Sequence, residues 1–101
     1  MEIRIEHTQG NSKIIIDKNQ LIGVESEKFQ QLVQDSINKG SKNITVDLSK
    51  VGFISSWGIG LLVHVYTSCM NRNINFNIEG VNAQVLNVLN QLKLTKLFNI
   101  N

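Results

Sequence analysis

Hydrophobic spacing along this chain switches between a two-residue and a roughly 3.6-residue period, and the order of those switches limits the possible folds. Over residues 2–8, Ile3 and Ile5 alternate with Glu2, Arg4 and Glu6, the mark of a half-buried strand. Gln9-Gly10-Asn11-Ser12 is a turn cluster, so residues 13–18, with Ile14-Ile15-Ile16, are expected to pair back as a hairpin. Residues 19–24 read as a loop. Over 26–39 the period lengthens: Phe29, Leu32, Val33, Ser36 and Ile37 share one helical face, and Gly40 supplies a left-handed stop. Residues 44–49 are short, β-branched and apolar except at Asp47, which predicts a central strand buried on both faces. A loop over 50–55 leads to a second helix over 56–71, striped by Ile59, Leu62, Val63, Tyr66 and Met70 and widened by Leu61, Val65 and Cys69. Residues 72–78 alternate again, with Arg72, Ile74, Phe76 and Ile78 opposite Asn73, Asn75 and Asn77. Asn82 is suited to cap a third helix that turns Val85, Leu86, Val88, Leu89 and Leu92 inward. A last helical turn over 94–98 is expected to tuck Leu97 and Phe98 under the core.

The order β-β-α-β-α-β-α calls for right-handed crossovers and an α/β fold. The expected form is a four- to five-stranded, mostly parallel sheet with an N-terminal hairpin and helices packed on it. With 101 residues, the folded surface should be roughly 5,800 Å² against roughly 16,500 Å² extended, enough for one core and one domain spanning 1–101. The single Cys69 excludes an internal disulfide framework and a four-thiolate zinc site. No apolar run approaches the ~20 residues of a membrane span, and the first residues lack a signal-peptide core, so no membrane insertion is expected. A reducing cytoplasm is the expected compartment. A net charge of +2, with Arg4 and Arg72 far apart, gives no basic face for nucleic acid.

Enzyme templates fail. Gly58-Ile59-Gly60 lacks the third glycine of a dinucleotide fingerprint, there is no phosphate-binding loop, and His7 and His64 belong to no metal-spaced cluster. Cys69, inside a helical stripe, reads as a small buried hydrophobe. No catalytic residue, metal or cofactor is expected. The informative stretch is Val46-Asp47-Leu48-Ser49 followed, after a short loop, by Phe53-Ile54-Ser55-Ser56-Trp57-Gly58-Ile59-Gly60. It carries a strand end into a helix start, where ligand chemistry gathers in open α/β sheets. Spacing leaves several roles open. Ser55 or Ser56 can be the helix N-cap. Trp57 can pack under the loop or anchor a partner. Asp47 is suited to accept hydrogen bonds from the loop's amides.

These residues resemble a family. Asp47-Leu48-Ser49, then Phe53-Ile54-Ser55-Ser56, Gly58-Ile59-Gly60-Leu61-Leu62, is similar to the signature of STAS domains (sulfate transporter and anti-sigma factor antagonist). Glu79-Gly80-Val81-Asn82, Val88-Leu89 and residues 94–100 are similar to that family's closing helices, so the resemblance covers nearly the whole chain. It implies a stand-alone, non-enzymatic anti-sigma factor antagonist. The family's regulated serine maps onto Ser56, with Ser55 the alternative acceptor. The resemblance implies that an anti-sigma factor serine kinase phosphorylates it, that a serine phosphatase reverses this, and that the unphosphorylated form binds the kinase and releases a sigma factor. Ser55, Trp57, Gly58 and Ile59 are then the expected partner-binding residues, and Asp47 supports the loop. The sequence departs from the pattern at three places: Ser55 precedes Ser56 where an acidic residue is usual, Trp57 replaces a small residue, and Ile22 maps where a loop aspartate is common. The alternative the resemblance allows is a constitutive accessory subunit of a transport ATPase or signalling scaffold, with Ser56 only a helix cap.

Overall fold

A computed structural model describes residues 3–17, 20–21 and 26–98. The element order is β1 (Ile3–Thr8), β2 (Asn11–Ile16), β3 (Gln20–Leu21), α1 (Ser26–Asn38), β4 (Asn43–Asp47), β5 (Phe53–Ile54), α2 (Ser56–Asn71), β6 (Asn75–Glu79) and α3 (Ala83–Gln91). Four strands form one sheet in the order β1-β2-β4-β6. Only the β1–β2 pair is antiparallel. The hairpin is tighter than its turn cluster suggested. Thr8 pairs with Asn11, and Gly10 takes the left-handed φ of 74° that a two-residue connection requires.

Cross-strand register sorts the side chains into two faces. Ile3 and Ile16, Ile14 and Val46, Ile44 and Phe76, and Val46 and Ile78 pair on the inner face. All are buried in one cluster with Phe29, Leu62, Val65 and Leu89 from the helices. The outer face carries three rows: Arg4–Ile15–Asp47–Glu79, Glu6–Lys13–Thr45–Asn77 and Thr8–Asn11–Asn43–Asn75. This corrects the expectation that β4 is buried on both faces. Its burial alternates strictly, with Ile44 and Val46 fully buried and Asn43, Thr45 and Asp47 only partly covered. The helices pack on one side of the sheet, so the other is polar apart from Ile15, which is buried in the row between its charged neighbours Arg4 and Asp47.

Four further boundaries differ from the spacing, each for a local reason. Residues 72–74 are the stop of α2: Asn73 has φ 57°, and the Ile74 amide donates to the Cys69 carbonyl at 2.8 Å. Asparagine tolerates that left-handed turn, so β6 starts only at Asn75. Lys93 at φ 60° ends α3 in the same way and turns Leu92 outward, 51% exposed rather than inward. In the last turn, closed by the Phe98 amide on the Leu94 carbonyl, Leu97 is 40% exposed and only Phe98 is buried. Phe98 meets Tyr66 and Phe76 edge-to-face at centroid distances of 5.9 and 5.8 Å, which pins this last turn to α2 and β6. Finally, the stretches read as loops contain β3 and β5, a two-residue parallel ladder. Ile22, and residues 99–100 of the closing motif, lie outside the described residues.

Candidate functional site

The site is built where β4 runs out. The Leu48 amide donates to the Glu79 carbonyl at 3.0 Å, carrying the β4–β6 ladder one residue beyond the strand. The chain then turns: Asp47 Oδ1 accepts from the Ser49 amide at 2.8 Å, and the Val51 amide donates to the Leu48 carbonyl at 2.9 Å. Burial, the largest single influence on Asp47, pushes its carboxyl upward. It is outweighed by the Ser49 hydrogen bonds and the Lys13 and Lys50 charges, so the carboxyl sits below its ordinary value. Two residues from the β6–α3 junction brace the turn from below. Asn82 Nδ2 donates to the Val51 carbonyl at 2.8 Å while its Oδ1 caps α3 by accepting from the Val85 amide. Gly80, at φ 72°, lets its backbone lie against Ser49 and Asp47, where a Cβ would meet the Ser49 Cβ at 2.7 Å.

From this turn β5 delivers the chain to α2. Ser55 has extended backbone, and its hydroxyl accepts from the Gly58 amide at 3.1 Å. It is therefore the N-cap, and Ser56 is the first helical residue. This corrects the reading of Ser56 as a helix cap. The Ser56 side chain is exposed, and no acidic residue lies in the first turn of α2. Trp57, the next residue of the helix, is 61% exposed, and Phe53 in β5, three residues before the serine in the chain, is 49% exposed. Gly58 is buried and closes the cap rather than presenting a surface; Ile59 is half-buried against the core.

Between α1 and α2 lies a cleft of about 240 Å³ lined by Gln30, Ser56, Trp57, Gly60, Leu61 and His64. Trp57, Gly60, Leu61 and His64 follow i, i+3, i+4, i+7 spacing and form one helical stripe. Gly60 leaves space there, since a Cβ at that position meets nothing within 4 Å. The sequence reading missed this stripe and Phe53. The stripe is legible as helical spacing, though His64 belongs to no metal-spaced pattern that would single it out. Phe53 was hidden in a two-residue strand.

The remaining candidates lie elsewhere. Cys69 is buried in the core, and burial pushes its thiol up to about 11, against a smaller opposing pull from Arg72. His7 Nδ1 lies 3.0 Å from the Ser12 hydroxyl, remote in the chain from the exposed His64. Among the described residues no three His, Cys, Asp or Glu side chains converge as metal ligands, and no helix is long and apolar enough to cross a membrane.

A sheet covered by helices on one side, with a braced turn leading into a capped helix start, defines a class of small α/β domains. A STAS domain family model matches residues 2–101, and the chain belongs to that family. Solved structures share the fold. A putative anti-sigma factor antagonist from Thermotoga maritima superposes with a TM-score of 0.80 at 24% identity, over 97% of this chain and 84% of that one. An anti-sigma factor antagonist from Mycobacterium paratuberculosis gives 0.82 at 18% identity, over 97% and 82%. The unphosphorylated form of the anti-sigma factor antagonist SpoIIAA gives 0.82 at 16% identity, over 98% and 87%. No curated protein matches the sequence.

Proposed function

We propose that this chain is a cytoplasmic anti-sigma factor antagonist whose binding surface is the start of α2 and whose switch is phosphorylation of Ser56. The observation that carries this reading is the division of labour between neighbouring serines. Ser55 caps the helix, leaving Ser56 exposed at its first position, in the same cleft as the exposed Trp57. A phosphate there adds about −1.5 to −2 charges. Within the free domain it is tolerated, because the helix start offers unpaired amides and the positive dipole end. Against a close-packed partner the same charge must be desolvated or repelled. Only about 2.7 kcal/mol separates tight binding from a hundredfold weaker one, so one central phosphate switches the contact without refolding the domain. Ser56 is then a substrate residue: the partner, an anti-sigma factor serine kinase, brings nucleotide, metal and base. A serine phosphatase resets the switch.

The test is to incubate the chain with its candidate kinase and ATP, locate phosphate by mass spectrometry, and measure kinase binding. The expected result is phosphate on Ser56, none on Ser56→Ala, and binding of the phosphorylated form weakened about a hundredfold. Trp57→Ala should weaken binding of the unphosphorylated form by roughly thirtyfold, as removal of an exposed aromatic anchor does. Phosphate on Ser55 instead reassigns the acceptor and overturns the proposal. Equal binding by wild type and Ser56→Ala, with or without ATP and with no phosphate gained, overturns the switch and leaves a constitutive accessory subunit.

A further inference from the structure

Among the described residues β1 is the terminal strand of the sheet, with β2 on one side and no strand on the other. Alternate backbone amides and carbonyls therefore face outward along its free edge, a template for another strand. Arg4 and Glu6 are exposed on the outer face of that edge, and Ile5 between them is only partly buried on the inner face. Arg4 is held only loosely, with its Nε 3.8 Å from Asp17 and half its side chain exposed.

We infer that this edge is a self-recognition surface, and that two copies of the chain associate by antiparallel pairing of β1 with β1 about a two-fold axis at Ile5. The register selects itself. With the axis at Ile5, Arg4 of each copy faces Glu6 of the other, giving two opposite-charge pairs on the outer face. Ile5 meets the second copy's Ile5 on the inner face, and Ile3 meets its His7. A slip of one residue sends the apolar side chains to the polar face. Moving the axis to Arg4 or to Glu6 preserves the faces but opposes like charges at the centre, which destabilises a cross-strand pair. The edge is thus self-complementary in one register and self-repelling in its neighbours. The opposite edge lacks this property: a two-fold at Asn77 in β6 sets Asn75 against Glu79 and Asn77 against itself, pairs with no attraction of charge to fix them. An edge of six residues buries less than the roughly 1,200 Å² of a standard stable interface, so the dimer is weak and concentration-dependent. Because the contact is isologous, it closes at two copies and extends the sheet from four strands to eight.

The experiment is sedimentation velocity over a concentration series on the wild-type chain, Arg4→Glu, Glu6→Arg and the double swap Arg4→Glu/Glu6→Arg. Circular dichroism checks that each variant is folded. The wild type should dimerise reversibly. Each single reversal opposes like charges twice and should raise the dissociation constant by about tenfold or more, while the double swap should return it to within about threefold of wild type. Amide hydrogen exchange on the wild type reads the same contact without substitution, as protection in β1 that rises with protein concentration. A wild type that stays monomeric with no such protection overturns the inference. So do single reversals that dimerise as well as wild type, or a dimer dissolved by Leu97→Glu beside β6.

Discussion

Ser55 and Ser56 are adjacent and chemically identical, yet the fold gives them different work, and stability measurements can separate them. Ser55 holds the Gly58 amide from extended backbone, whereas Ser56 stands in solvent at the first helical position. Ser55→Ala should therefore lower unfolding free energy by about 1 kcal/mol, the usual cost of a lost cap. Ser56→Ala, on an exposed face, should change it by no more than about 0.5 kcal/mol. Urea unfolding of both variants checks this, and equal losses would show that the cap is shared. The sequence could not distinguish the two, because either hydroxyl can cap a helix and only the backbone angles decide. Trp57 was undecidable for a similar reason. Its residue type fits a packed or an exposed site, and its place at the second position of α2 turns it away from the core.

At the scale of elements, long periodic stretches were legible and short or turn-broken ones were not. The bounds of α2 follow from sixteen residues of consistent spacing. β3 and β5, at two residues each, carry no period, although they align the segment that leads into the site. The alternation through Asn73 looked like a strand because a left-handed turn need not interrupt a hydrophobic pattern. What holds the site turn in place is also invisible in local sequence, since Gly80 and Asn82 act on residues some thirty positions earlier. Asn82→Ala removes an N-cap and leaves the Val51 carbonyl without its 2.8 Å donor, so a loss of about 2–3 kcal/mol is expected. Asn82→Asp keeps the cap oxygen and should recover part of it. Gly80→Ala meets both a positive φ and a 2.7 Å approach to Ser49, and should cost about 2 kcal/mol or more. Thermal unfolding of the three variants tests this; a neutral Gly80→Ala would show that the turn can shift away from β6.

Across the whole molecule the sheet divides the chemistry: helices and apolar side chains on one face, a lattice of polar and charged ones on the other. Lys13 sits centrally there, bridging Asp47 at 3.9 Å and Glu79 at 2.5 Å. The Glu79 hydrogen bond and charge raise its ammonium above the ordinary lysine value. This lattice sets the pH response of stability. Asp47 is more acidic folded than unfolded, so its contribution is present above the ordinary carboxylate range and is lost as pH falls through its folded value. Lys13 is the reverse: its contribution is present below the ordinary lysine value and is lost as pH rises through its folded one. Stability should hold level from about pH 5 to about pH 9 and decline on either side. Asp47→Asn should cost roughly 1 kcal/mol at pH 7, after allowing for solvent screening at a partly open site. As pH falls from the ordinary carboxylate range through the folded value of Asp47, the gap to wild type should narrow, because the carboxylate takes up a proton and its charge-dependent contribution is lost. Urea midpoints at pH 3, 5, 7 and 9 give the comparison. A gap that stays constant across that range would mean that Asp47 serves the turn by shape alone, and that its charge has no part in holding the strand end where α2 begins.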